Sequence, residues 1–315
     1  MPTPLHVVLG AGGGIGSAVV RELVRGGHRP RAVGRTPIDV PAGVTSLTAD
    51  LTTTEGARAA FAGAAVVYHC AQPAYHRWPQ DFPGLTDAIV EGAAAAGAKL
   101  VFADNLYRYG PIDGPVSEET PQRPTSRKGA VRKAMTDRLL RAHDSGRLRV
   151  TIGQAADYYG PGGTNSVIGA AVVPAVLGDR TVFWPGRLDV PRTLHYLPDV
   201  AGALVRLGES DAADGRAFVL PAAPALTPRQ FIEEVAAAAG TRARVRATAK
   251  PLMRLVGLSN PAARELVDIW YQFDRPWTVD DGLYRRTFGP AEVTTPQEGA
   301  AATVAWYRAR TVAHA

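Results

Sequence analysis

A glycine-rich segment that directly follows a short apolar run is the feature that most constrains the fold. The run Leu5–Leu9 is a candidate strand, and glycines at positions 10, 13 and 16 follow it in a Gly-x-x-Gly-x-x-Gly pattern. Such glycines let the backbone turn tightly, approach a pyrophosphate and pack a helix against the strand. The free N–H groups and positive dipole end of that helix attract phosphate. We therefore predict dinucleotide binding, with a flexible turn as the alternative, and the predicted contacts are Gly10, Ala11, Gly13, Gly14, Ile15 and Gly16.

Strand-like and helical segments alternate through the first half of the chain. This alternation predicts an α/β fold, a doubly wound parallel sheet of the Rossmann type. Later strands are predicted over 31–34, 45–50, 65–70, 99–103 and 148–154, and helices over 55–61, 85–96 and 127–144.

The second half has a different organisation. From Asp157 the sequence becomes rich in turns and carries most of the tryptophans. A strand-like return over 193–197 and a helix over 200–207 are predicted to rejoin the sheet, and Thr227 is predicted to cap a helix with proline at its first position. Residues 1–156, with return elements at about 193–220, are therefore assigned to a dinucleotide-binding domain. Residues 157–192 and 221–315 are assigned to a smaller substrate lobe.

Composition narrows the class of protein. The apolar content of 46% and charged content of 20% are ordinary for a globular protein. The formal charge is +6, but its arginines are scattered, which indicates a solvated surface rather than a nucleic-acid footprint. Cys70 is the single cysteine, and neither a Cys/His metal motif, a signal peptide nor a membrane helix is evident. We expect a cytoplasmic protein without a metal, whose partner is a small molecule.

A series of motifs resembles the extended branch of the short-chain dehydrogenase/reductase superfamily, the epimerase/dehydratase-like group. The motifs are the opening glycine loop, Asp50-Leu51, Tyr107-Arg108-Tyr109-Gly110, Tyr159-Gly160-Pro161-Gly162, His195 to Ala201 and Thr303 to Arg308. The resemblance implies that Asp50 and Leu51 flank the adenine. It also implies that Cys70, Ala71 and Gln72 run along the dinucleotide, and it is compatible with a homodimer.

The end of the second predicted strand bears on the choice of cofactor. It reads Val33-Gly34-Arg35, without the acid that holds the ribose 2′-hydroxyl in NAD enzymes. An arginine can instead contact a 2′-phosphate, a charge-assisted contact of about 1.5–3 kcal/mol. We therefore expect NADP(H) rather than NAD(H), with a surface arginine as the alternative.

The active-site motif is where this sequence departs from the family. The family pairs a serine with Tyr-x-x-x-Lys, in which the tyrosine is the acid/base and the lysine lowers its pKa and holds the nicotinamide ribose. Here Asn105 takes the position of the serine, and aligning Lys133 with the family lysine puts Gly129 at the position of the tyrosine. The usual proton donor is absent, although hydride transfer itself belongs to the cofactor.

Four nearby residues are candidate replacements for the missing acid/base. Lys128 with Arg132 is similar to the Lys-x-x-x-Arg helix of the isoflavone-reductase-like branch, in which a lysine does the proton chemistry. Tyr107, Tyr109 and Asp104 could donate a proton. Asn105 is not an acid, but it could donate a hydrogen bond to a carbonyl oxygen. The alternatives are a surface lysine, a packing tyrosine and a turn aspartate.

Substrate contacts are predicted from loops at the carboxyl ends of the strands. The candidates are Tyr75, His76, Tyr107, Tyr158, Tyr159 and Arg192, the last at a position where nucleotide-sugar members carry an arginine near the diphosphate. Core packing or solvation is the alternative for each.

Three functions remain open from the sequence. The first is an atypical NADP(H)-dependent oxidoreductase that reduces a small hydrophobic carbonyl, enone or imine. The second is an NADP(H)-binding sensor without catalysis, suggested by the missing tyrosine. The third is a non-redox isomerase, dehydratase or cyclase, with a nucleotide-sugar epimerase disfavoured because serine and tyrosine are both absent.

Overall fold

The computed structural model describes residues 4–313 and is built on a seven-stranded sheet. The strands are β1 (Leu5–Leu9), β2 (Arg31–Gly34), β3 (Thr45–Thr48), β4 (Ala64–His69), β5 (Lys99–Asn105), β6 (Val150–Ala155), β7 (Asp157–Tyr159), β8 (Val182–Pro185), β9 (Leu194–Tyr196), β10 (Arg216–Val219) and β11 (Val245–Thr248). The main sheet has the order β10-β6-β5-β4-β1-β2-β3, and all of its pairs are parallel. This confirms the predicted doubly wound fold.

Helices cover both faces of the sheet and build the lobe. They are α1 (Gly14–Arg25), α2 (Thr54–Phe61), α3 (Trp78–Ala96), α4 (Arg127–Asp144), α5 (Val173–Leu177), α6 (Leu197–Glu209), α7 (Pro228–Ala239), α8 (Lys250–Val256), α9 (Pro261–Asp268), α10 (Gly282–Phe288) and α11 (Pro296–Ala313). Within the described range, none of these helices is long and apolar enough to cross a membrane.

Local sequence explains where two of these helices begin. Thr227 and Gln230 form a capping box at the start of α7, which confirms the predicted cap. Helix α3 begins at Trp78, seven residues before its predicted start at Leu85. Pro79 lies in the first turn, where a proline costs no helical hydrogen bond, whereas Pro83 lies inside the helix. Trp78 and Phe82 lie one turn apart and are both buried, so their burial stabilises the longer helix.

Three buried clusters form the core. Two lie on opposite faces of the main sheet, and the third fills the lobe between α5, α7 and the two-stranded sheets. Helix α10 lies within the segment assigned to the lobe, yet its Tyr284 and Phe288 rings pack on Phe218 of β10. Residues 282–288 therefore cover the sheet edge, while the rest of the lobe faces the carboxyl ends of β5 and β6.

Candidate functional site

The site is at the topological switch point, where the chain leaves β1 in one direction and β4 in the other. Strands β1 and β4 are neighbours in the sheet, and their following segments are the glycine loop and Cys70-Ala71-Gln72. The crevice beyond such strand ends is the usual ligand site of open α/β sheets. Two of the segments predicted to contact the cofactor, the glycine loop and Cys70-Ala71-Gln72, are therefore brought to one edge of the sheet.

The backbone packs so tightly around the glycine loop that two of its positions have no room for a side chain. Gly10 has φ +69°, and a Cβ there would lie 2.7 Å from Cα of Ala71. A Cβ on Gly16 would lie 2.3 Å from the carbonyl oxygen of Gly10. These contacts hold the first turn of α1 close to the ends of β1 and β4.

The start of α1 offers donors to a phosphate. Its N-cap is Gly13, which has no side chain to satisfy the first N–H groups. Backbone N–H groups in the first turn have no carbonyl within the helix to bond. Free donors and the helix dipole together fit a pyrophosphate, so the residues present suit a dinucleotide.

A cavity of about 340 Å³ lies beside this turn. It is lined by Ala11, Ser17, Val20, Arg21, Ile38, Asp39, Val40 and Pro41. Arg35 is exposed at the end of β2, near the same loop. Arg21 and Asp39 place one cation and one anion in the cavity wall. Neither was predicted from the sequence, because neither lies in the glycine-rich motif.

The remaining predicted cofactor contacts lie around this crevice. Leu51 is buried in the core, whereas Asp50 is exposed and accepts hydrogen bonds from the N–H and hydroxyl of Thr52. These bonds lower the pKa of Asp50. Burial raises the pKa of the Cys70 thiol to about 12, so it stays neutral. Gln72 is exposed in the loop after β4.

Of the two lysines that the sequence offered on helix α4, the structure buries Lys128, together with Arg132. Lys128 and Arg132 are 3% and 5% exposed and lie one turn apart on the buried face. Lys133 is half-buried and its ammonium donates to Asp137 at 2.7 Å on the same helix. Lys133 points roughly 100° around the helix from Arg132. The structure therefore does not bring Lys133 to the site.

Gly129 supports this change of register. A Cβ at this position would lie 2.5 Å from the carbonyl oxygen of Tyr107, so no tyrosine could stand there. Ser126 caps α4 through a hydrogen bond from the N–H of Gly129, which fixes the rotation of the first turn. The spacing of the family Tyr-x-x-x-Lys motif is met instead by Lys128 and Arg132.

Lys128 lies in an apolar and aromatic environment. Its ammonium is 4.3 Å from the centroid of the Tyr75 ring and forms an ion pair with Glu265 of α9. Burial lowers the pKa of Lys128 to about 8, and the carboxylate of Asp268 opposes this shift. The Glu265 carboxylate also stabilises the charged ammonium, so Lys128 can exchange a proton near neutral pH once that carboxylate moves away.

Arg132 joins α4 to the end of β5. Its guanidinium lies 3.4 Å from one carboxylate oxygen of Asp104, and the other oxygen accepts a hydrogen bond from the Thr136 hydroxyl. The same guanidinium stacks over the ring of Trp78 at 4.4 Å. Burial raises the pKa of Asp104, although Arg132 opposes this shift. Asp104 is fully enclosed, so its position favours a role in holding Arg132.

Three tyrosines and Asn105 complete the polar lining. The Tyr75 hydroxyl donates to the Tyr107 hydroxyl at 3.1 Å, and burial raises the pKa of Tyr107 to about 12. Tyr158 donates to the carbonyl oxygen of Asp104 at 3.0 Å. The side-chain oxygen of Asn105 accepts the N–H of Tyr107 at 3.0 Å, which orients its amide.

Other predicted residues are placed away from the crevice. Tyr109 is fully buried and its hydroxyl donates to Gln154 at 2.9 Å, a packing position. Tyr159 is buried against Phe231 in the lobe. His76 is exposed in the turn before α3.

Arg192 is buried and already paired. Its guanidinium donates to a carboxylate oxygen of Asp157 at 3.0 Å and to the carbonyl oxygen of Gln272. The rings of Trp184 and Phe273 flank it at 5.5 and 4.9 Å.

Comparison with known proteins agrees with this architecture. The model of the NAD dependent epimerase/dehydratase family matches residues 6–220, more than half of the chain. The chain belongs to this family. No curated protein matches the sequence significantly.

Several solved structures share this fold over nearly the whole chain. MoeE5, described in complex with UDP-glucuronic acid and NAD, is 23% identical with a TM-score of 0.78 over 98% of this chain and 100% of its own. The dTDP-glucose 4,6-dehydratase of Bacillus anthracis is 16% identical with a TM-score of 0.82, covering 98% of each chain. The UDP-glucose 4-epimerase of Thermus thermophilus is 22% identical with a TM-score of 0.78, covering 96% and 99%.

Proposed function

We propose that this protein is an NADP(H)-dependent oxidoreductase that reduces a small, hydrophobic carbonyl, enone or imine, with Lys128 as the proton donor. The observation that carries the proposal is a buried lysine on α4 with a lowered pKa, whose ammonium lies over the ring of Tyr75 in the segment that follows β4. When bound, the dinucleotide supplies the hydride.

The side chains of the site supply proton donation, a hydrogen bond to the substrate and positioning. Lys128 gives its proton to the substrate oxygen or nitrogen and takes one back from solvent. Because its ion pair with Glu265 covers the ammonium, substrate entry requires that carboxylate to move. Asn105 can donate its amide N–H to a polarised carbonyl, and its own oxygen is fixed by Tyr107. Arg132 positions the end of β5 through Asp104.

The pairing of Arg192 favours a small substrate over a nucleotide sugar. A diphosphate would need a free cation in the lobe, but Arg192 is 1% exposed and its charge is matched by Asp157. Breaking a buried ion pair costs about 3–5 kcal/mol, which a diphosphate would have to offset. The aromatic side chains around Lys128 suit an apolar substrate instead.

The preference for NADP(H) is supported by Arg35, which is exposed and follows β2 without an adjacent acid. Asp39 in the cavity wall opposes that preference, since a carboxylate repels a 2′-phosphate and suits a 2′-hydroxyl. Paired titrations with NADPH and NADH decide between them. We expect Arg35→Ala to weaken NADPH binding and leave NADH binding unchanged.

A second candidate is a non-redox isomerase or dehydratase with a retained dinucleotide. It is favoured by the similar structures described as an epimerase and dehydratases. Oxidation of NADPH across a panel of carbonyls, enones and imines tests the leading proposal directly. Stoichiometric loss of NADPH with reduced product supports it, whereas tight NADPH binding without net oxidation on any substrate contradicts it.

A further inference from the structure

A group of metal-ligating side chains lies outside the candidate active site, toward the amino ends of the strands. His6 is near the start of β1, His28 precedes β2, and Glu209 is the last residue of α6. One ligand atom from each residue lies within 4.8 Å of the other two. Sequence analysis predicted no metal because these residues are far apart in the chain and form no spacing motif.

Hydrogen bonds and polar contacts fix the orientation of both histidine rings in this group. Nδ1 of His6 is 3.1 Å from the Tyr68 hydroxyl, which fixes the ring and leaves Nε2 free of that bond. Outer-shell partners of this kind orient metal-ligating histidines. Nε2 of His28 is 3.0 Å from a carboxylate oxygen of Glu209. In a tetrahedral zinc site with bonds of about 2.0–2.1 Å, neighbouring donor atoms are about 3.3 Å apart.

Burial also suits a metal. His6 is 2% exposed, and its ring centroid lies 4.4 Å from that of His28. Nδ1 of His28 is buried without a hydrogen-bond partner among the described residues. Two imidazoles that face one carboxylate form a donor set that matches Zn²⁺ or a similar borderline cation.

We propose that His6, His28 and Glu209 bind a divalent transition metal such as Zn²⁺, with Tyr68 as the positioning residue behind His6. The metal joins the start of β1, the loop before β2 and the end of α6, three segments separated in sequence. The alternative is a plain His28–Glu209 ion pair beside a neutral histidine.

The test is Zn²⁺ titration of untagged, EDTA-treated and desalted full-length protein, followed by calorimetry and metal analysis. We expect one Zn²⁺ per chain. His28→Gln and Glu209→Gln should bind at least tenfold more weakly, and Tyr68→Phe about tenfold more weakly. His76→Gln, which alters an exposed histidine elsewhere, should bind like the wild type.

A second readout separates metal binding from loss of fold. Zn²⁺ should raise the unfolding temperature of the wild type and of His76→Gln, but not that of His28→Gln, because only a ligand bound to the native state shifts the transition. Absence of stoichiometric Zn²⁺ in the wild type would overturn the proposal. Wild-type affinity in Glu209→Gln or His28→Gln would overturn it equally.

Discussion

At position 128 a lysine ammonium lies 4.3 Å from the centroid of the Tyr75 ring and is almost completely shielded from water. Desolvation disfavours the charged form of an amine, which is why the pKa of Lys128 falls to about 8. Lys133, five residues later, is paired with Asp137 near the surface. The rotation of the helix thus directs Lys128 toward Tyr75 and Glu265 and Lys133 toward Asp137.

Replacing Lys128 should remove proton donation without removing cofactor binding. We expect Lys128→Gln to lower kcat by about 10²–10⁴-fold, the usual contribution of a positioned acid. Lys133→Gln is the matched control on the same helix and should stay close to wild-type activity. Steady-state kinetics with NADPH checks both. An unimpaired Lys128→Gln beside an inactive Lys133→Gln would restore the alignment that the sequence indicated.

The pH dependence of turnover should follow the lysine. Lys128 donates a proton only when protonated, so kcat is full below its pKa and falls as pH rises through about 8. Above that pH the decline should approach about tenfold per unit. A kcat profile from pH 6 to 10 measures this, and a rate that increases steadily across that range would contradict an acid role for Lys128.

At the scale of elements, the glycine loop and the first turn of α1 are held by contacts that leave no room for side chains. Gly16 is the tightest position, since its Cβ would lie 2.3 Å from the carbonyl oxygen of Gly10. Gly12 lies in the same loop, but a Cβ there would meet only a side-chain carbon of Ile38 at 3.9 Å. Gly16 is therefore required by the close packing of the backbone, whereas Gly12 has room for a methyl group.

Alanine at these two glycines should have opposite outcomes. Gly16→Ala should displace the loop from β1 and weaken NADPH binding at least tenfold, with overpacking that costs about 1–3 kcal/mol of stability. Gly12→Ala should bind like the wild type. Calorimetric titration with NADPH checks both variants after denaturant unfolding has confirmed that they fold. Equal affinity in Gly16→Ala and the wild type would rule out the loop as the cradle.

Strong local signals made much of this architecture predictable, and the misses have physical causes. Helix α4 was placed at 127–144 from its sequence, and the structure has it there. The sequence left open whether Lys133 or the pair Lys128 and Arg132 faces the sheet, because Arg132 and Lys133 are adjacent cations and only packing decides which one is buried. Glu265 gave no signal, since it reaches Lys128 from a lobe helix far along the chain.

At the scale of the whole molecule, the sheet and the lobe bury several histidines in neutral form. His195 is fully buried between the N–H of Ala156, which donates to Nδ1, and the carbonyl oxygen of Leu220. A proton on Nδ1 would face that N–H, and burial lowers the pKa of His195 to about 4 from its ordinary 6.5. His6 and His69 are shifted in the same direction.

The protein should therefore lose stability in mild acid. Below pH 6.5 the histidines of the unfolded chain become protonated, whereas His195 in the folded chain stays neutral until about pH 4. The free energy of unfolding is therefore greatest above pH 6.5 and declines as the pH falls toward 4. By pH 5, His195 alone should contribute about 2 kcal/mol to this loss. Urea unfolding at pH 7.5 and pH 5 measures it. Equal free energies of unfolding at the two pH values would contradict neutral buried histidines.

At the scale of the whole molecule, we expect the dinucleotide to lie along the switch point, with its nicotinamide end at Lys128. A crystal structure of the protein with NADPH tests this most directly. We predict the pyrophosphate on the first turn of α1 and the nicotinamide beside Lys128, with Lys133 remote from it. A nicotinamide ring beside Lys133, or well-folded protein that takes up no dinucleotide, would contradict the account.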